Sequence, residues 1–140
     1  MNDYTYNEIN IGHEEEFTQE ITHEMENSFR EITGDENPLH KDDFFARKDG
    51  KFEGHVCFGM LTASLLSTMA GMYLPGKYSL IHSIDNISFK KPVYVGDTLK
   101  IGAIVVDKQD DLQLLILDVI IRNQHNKVVL KAIMKVLVQK

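Results

Sequence analysis

Apolar and polar residues alternate along the second half of the chain. The alternation divides it into four strands: Ser79 to Phe89, Thr98 to Val106, Leu112 to Asn123 and Val128 to Val138. Gly96-Asp97, Asp110-Asp111 and Asn123 to Asn126 carry the turn residues between them. Earlier in the chain Phe17 to Ile21 also alternates and predicts a strand. Met25, Phe29 and Ile32 then recur at helical spacing, so a helix is expected over His23 to Ile32. Thr22 stands where an N-cap belongs, Glu24 and Glu26 fall in the first turn, and Gly34 follows as a C-cap glycine. Asp42 to Arg47 suggests a short helix. Gly59 to Tyr73 is small or apolar on nearly every side, which predicts a main helix buried all round. Leu74-Pro75-Gly76 ends it. Long strands after one central helix, with no helices between them, imply an antiparallel sheet wrapped around that helix in an α+β arrangement.

Composition narrows the possibilities. The 140 residues fit one domain, taken as 1–140, and are 43% hydrophobic and 26% charged, a globular balance. A formal net charge of -6 argues against a nucleic-acid partner, which would call for a basic face. The single cysteine, Cys57, rules out an intrachain disulfide and suits a reducing compartment. Met1 to Asn10 is polar and acidic, with no signal-peptide pattern. The apolar stretch from Met60 to Leu74 is too short and too interrupted to span a membrane. A cytoplasmic protein is therefore expected, with no membrane partner. Glu14 to Glu16 reads as a solvated strand end or turn.

The chemistry-bearing residues lie mainly in the first half. Asp35 and His40 are five residues apart in Gly34-Asp35-Glu36-Asn37-Pro38-Leu39-His40. A proline-stiffened loop can hold a carboxylate and an imidazole toward one water, with the histidine able to accept its proton. The same spacing also fits a hydrogen-bonded turn with no chemistry. Gly59 opens the main helix, where free N–H groups and a partial positive charge can hold an oxyanion and the missing side chain permits close approach. Ser64 and Ser67 lie on that helix; small size and bonding to the preceding turn account for such serines, and Ser67 can alternatively face a pocket. Cys57, just before the helix, is either a small buried hydrophobe or a nucleophile. His13, His23, His55, His82 and His125 show no zinc-ligand spacing, so no metal is expected. No phosphate loop, dinucleotide fingerprint or nucleophile elbow is present. Lys90 and Lys91 are a solvated strand end or a contact for phosphates.

Taken together these segments resemble the MaoC-like dehydratases, and most closely the short, single-domain (R)-specific enoyl-CoA hydratases. The resemblance rests on Gly34 to His40 with Asp42, on Gly59-Met60-Leu61 and Ala63-Ser64-Leu65, on Leu74-Pro75-Gly76, and on Ser88 to Asp97. It is close from about Phe29 to Leu99 and looser beyond. It implies a hot dog fold and a homodimer with thioester tunnels near the interface. It further implies that Asp35 and His40 activate the water that adds to C3 of a trans-2-enoyl thioester, or reverse that step by dehydrating a 3-hydroxyacyl thioester. The Gly59 N–H would stabilise the enolate oxygen, with Asn37 and Ser67 among the substrate-binding residues. Lys90 and Lys91 would meet the coenzyme A or phosphopantetheine arm, which belongs to the substrate; no separate cofactor is implied. Phe58 departs from the histidine usual before the glycine, and Arg47 to His55 fits the pattern poorly; both bear on substrate choice. An acyl-carrier-protein dehydratase is the neighbouring alternative. A hot dog thioesterase or a non-catalytic acyl-binding subunit ranks lower, because Asp35 and His40 are both present.

Overall fold

The computed structural model describes residues 1–140. Five strands form one antiparallel sheet: β1 (Glu14–Glu20), β2 (Ser79–Phe89), β3 (Thr98–Gln109), β4 (Leu114–Arg122) and β5 (Val128–Val138), in the order β1-β3-β4-β5-β2. The β2 and β5 boundaries match the alternation. β3 runs past Val106 because Asp107, Lys108 and Gln109 keep pairing, beyond a bulge, with Ile116, Leu115 and Leu114. β1 begins at Glu14 rather than Phe17, since Glu14 to Glu16 pair with Ile104 to Gly102; of the two readings of the acidic cluster, strand end and turn, the first holds.

Helix α1 (His23–Thr33) is bounded by the expected residues. The Thr22 hydroxyl accepts from Met25 N, and Gly34 takes the left-handed conformation at φ 70° while donating to the Arg30 carbonyl. The short α2 (Asp43–Arg47) is capped by Asp42 in the same way. The main helix α3 (Gly59–Thr68) widens to π geometry over Met69–Tyr73, where Leu74 N donates to the Met69 carbonyl at 2.8 Å.

The concave side of the sheet wraps α3, the hot dog arrangement. Leu66 and Met69 are fully buried with Leu99, Ile101, Leu117, Ile121, Leu130 and Met134. Each such aliphatic contributes about 1.5–3 kcal/mol by leaving water. The expectation that α3 is buried all round fails on one stripe. Met60 is 61% exposed, and Ser64 and Ser67 are exposed beside it. These positions recur at i, i+4 and i+7, so they form the face turned away from the sheet. Small or apolar composition told that α3 is a core helix, but not that one side has no cover within a single chain. No helix is long and apolar enough to cross a membrane.

Candidate active site

The loop between α1 and α2 is built from nested side-chain turns. Asp35 Oδ1 accepts from Asn37 N, and Asn37 Oδ1 accepts from Leu39 N, each at 3.0 Å. Pro38 holds Asn37 in an extended conformation and starts a 3₁₀ turn, Pro38–His40, closed by His40 N donating to the Asn37 carbonyl. Arg30 Nη2 reaches from α1 to the His40 carbonyl at 2.9 Å. Glu36 and Lys41 are paired across the loop, and this holds the Glu36 carboxyl below its ordinary range.

The ring of His40 is held from two sides. Its Nδ1 lies 2.7 Å from the Val56 carbonyl. A carbonyl only accepts, so Nδ1 carries the proton and Nε2 of the neutral ring is left bare. Phe58, 2% exposed, packs its ring 4.5 Å from that of His40, with Phe29 at 5.1 Å and the Arg30 guanidinium 5.3 Å from its centroid. The segment carrying Val56 is strapped in turn: Val56 N donates to Leu39 and Cys57 N to Val93.

His40 lines a cavity of about 270 Å³ together with Gly59, Thr62, Phe89, Lys90 and Lys91. Gly59 is the first residue of α3, and Phe58, the N-cap, supplies no side-chain acceptor. The helix end is thus uncapped where it meets the cavity, with its donors and dipole available to an anion. The Phe89 ring lies over Gly59, its Cε1 only 3.0 Å from where a β-carbon would sit. A larger hollow of about 510 Å³ lies on the outer sheet face among Glu14, Glu16, Lys100 and Arg122. It offers no histidine or helix end, whereas the smaller cavity has both.

Residues 7–127 match the model of the MaoC like domain. The chain belongs to the MaoC-like dehydratase family. Over 102 residues this MaoC-like chain is 30% identical to a 3-hydroxybutyryl-CoA dehydratase of Methylorubrum extorquens, covering 73% of the chain and 64% of that protein. Over 84 residues it is 42% identical to an (R)-specific enoyl-CoA hydratase of Aeromonas caviae, covering 60% of the chain and 61% of the relative. These matches span somewhat less than two thirds of the curated relatives' own length. The unliganded R-hydratase PhaJ1 of Pseudomonas aeruginosa superposes with a TM-score of 0.90 at 26% identity, over 99% of this chain and 87% of that one. Proteins similar to this one are thus named hydratases and dehydratases.

Of the residues singled out in the MaoC-like sequence, the structure gathers His40, Gly59, Lys90 and Lys91 on one cavity wall. Asp35 and Asn37 sit on the exposed rim loop outside that wall, and Asp35 makes no direct hydrogen bond to His40. Ser67 lies on the exposed stripe of α3 rather than in the cavity. Ser64 bonds back to the Leu61 carbonyl at 2.6 Å. Cys57 is 2% exposed, and burial, with the nearby Glu26 charge, pushes its thiol up to about 12, so it is no thiolate nucleophile near neutral pH. Thr62 is the residue sequence reasoning missed. Its hydroxyl is buried on the cavity wall with no hydrogen-bond partner. Its position one turn into α3, on the cavity side of Gly59, was the available signal.

Proposed function

We propose that the chain hydrates trans-2-enoyl thioesters with (R) specificity, or dehydrates the corresponding 3-hydroxyacyl thioesters, with coenzyme A as the carrier. The observation that carries this reading is the shared cavity of a histidine with a bare Nε2 and an uncapped helix N-terminus at Gly59. With the thioester carbonyl on the Gly59 N–H, negative charge developing on that oxygen is stabilised. His40 Nε2 takes a proton from water as its oxygen bonds to C3, and the C2–C3 π electrons move to the enolate. The proton taken from water then returns to C2 through the coupled Asp35–His40 pair, which ends in the protonation state in which it began. The net change is addition of H and OH, which needs no redox cofactor. Lys90 and Lys91 line the same cavity, which supports a role in meeting the phosphates of the carrier arm.

The working unit in this reading is a homodimer. β2 is an edge strand whose Leu80, Ile84 and Phe89 are exposed, and the open stripe of α3 lies uncovered in the single chain. A second copy over this surface would bring Ser67 out of water and is one route to closing the cavity toward Asp35. The phosphopantetheine arm is common to coenzyme A and acyl-carrier protein, so carrier-linked dehydration is the neighbouring activity.

The test follows the enoyl thioester absorbance on mixing protein with crotonyl-CoA, and then with a carrier-linked enoyl substrate. Loss of the band with wild type, abolished in Asp35→Asn and in His40→Ala, is the expected result. Release of free thiol in its place would refute the reading in favour of thioester hydrolysis.

A further inference from the structure

Outside the lining of the His40 cavity, three side chains from two distant stretches meet. His23 and Glu26 occupy the first turn of α1, and His55 comes from the loop before α3. Glu26 Oε1 lies 3.0 Å from His55 Nε2 and 3.8 Å from His23 Nδ1, and all three candidate donor atoms fall within 4.8 Å of one another. A tetrahedral ion with bonds near 2.1 Å needs donors about 3.4 Å apart. Two of the separations bracket that value. The third closes by rotation of His23, whose side chain is 75% exposed.

Two features distinguish this cluster from a chance grouping. Glu26 is 2% exposed, and its second oxygen, Oε2, is buried with no partner. A buried carboxylate with an unmet oxygen lacks a cation or donor. Secondly, His55 is oriented from behind. Asp43 Oδ1 accepts from its Nδ1 at 2.6 Å and from its backbone N at 2.8 Å, which leaves Nε2 facing Glu26. A carboxylate on the outer nitrogen of a histidine is the arrangement that fixes the tautomer of a metal ligand and raises its basicity. The charges also balance: two carboxylates, two neutral imidazoles and one divalent cation sum to zero.

We propose that His23, Glu26 and His55 bind one divalent cation of the zinc class, with water completing the shell on the exposed side. Two imidazoles and one carboxylate favour zinc, cobalt or nickel over magnesium or calcium. The ion ties α1 to the segment whose next residue, Val56, holds the His40 ring. It is a structural clamp behind the cavity and touches no reacting atom.

The experiment strips the full-length protein with a chelator and titrates Zn²⁺ against a chromophoric competitor, alongside Co²⁺ followed by its visible spectrum. One equivalent bound, an intense tetrahedral-type cobalt band and a higher Tm of the loaded protein are expected. Affinity should fall roughly 10- to 100-fold in His23→Ala and Glu26→Gln, as for loss of a metal ligand or its orienting partner. His23 is exposed, so its variant folds whether or not the larger cluster tolerates change. His125→Ala, on an exposed turn, should bind as wild type. Absence of stoichiometric uptake, or uptake unchanged in His23→Ala and Glu26→Gln, overturns the site and leaves His55 as an imidazolium held between Glu26 and Asp43. None of these readouts depends on the hydratase reading.

Discussion

The ring of Phe58 gives the most direct test of how His40 is held. Phe58→Ala deletes a side chain that is 2% exposed and touches Phe29, Arg30 and His40 together. Truncating a buried phenylalanine costs about 3–5 kcal/mol in transfer and cavity terms, and the lost aromatic and guanidinium contacts are already within that range. The site cannot collapse easily, since Val56 and Cys57 are strapped to Leu39 and Val93. A value near 4 kcal/mol is therefore expected. For a chain of this size it corresponds to a fall in Tm of roughly 10–15 °C. Urea denaturation at constant m-value measures it. His40 retains its bond to Val56 but loses the ring beside it, so kcat for crotonyl-CoA should fall more than KM rises. Phe58→His separates packing from polarity: it keeps a ring but brings one N–H and one acceptor nitrogen into the buried site, and a buried N–H left unmet costs about 1–3 kcal/mol. A Phe58→Ala cost below about 1 kcal/mol would show that the ring is not a packed support and refute the reasoning.

Three further outcomes follow from named contacts. Gly59→Ala should cut hydration sharply while costing little stability, because the added carbon meets only the half-exposed Phe89 ring, which can swing away; activity assay and thermal melt are read together. Cys57 should resist iodoacetamide in native protein at mildly alkaline pH and react on unfolding, since burial pushes its thiol up to about 12 and shields it; rapid native labelling would contradict the burial. Gly76→Ala should loosen the N-terminal arm, because a β-carbon there sits 2.1 Å from the Asn2 carbonyl oxygen at φ +92°, and proteolysis near Met1 to Thr5 should accelerate.

Local signals were legible wherever chain neighbours set the structure. Thr22 and Gly34 bound α1 because capping depends on residues within one turn, and the alternation in Ser79–Phe89 and Val128–Val138 fixed those strands to the residue. What needed three dimensions was missed. The open stripe of Met60, Ser64 and Ser67 depends on which side of α3 the sheet covers, and no one-dimensional pattern in a nearly uniform apolar segment says so. Glu14 to Glu16 fit a strand end or a turn equally until β3 supplies their partners. His23, Glu26 and His55 lie in two separate stretches of chain and come together only in the fold. His40 and Gly59 were legible as candidates from residue type and place, and the fold adds that they share a cavity while Asp35 stays on its rim.

The strand order has a bearing on synthesis. β2 has one neighbour in the sheet, β5, and Ser79 pairs with Val138 at the far end of the chain. While a ribosome is still making β3 and β4, β2 has nowhere to hydrogen-bond, and the apolar face of α3 lacks part of its cover. Closure waits for Val128 to Val138 to emerge and slot between β4 and β2. Such long-separation pairing makes folding slow relative to a helical domain of equal length, and it leaves the incomplete chain dependent on protection from other nascent edges.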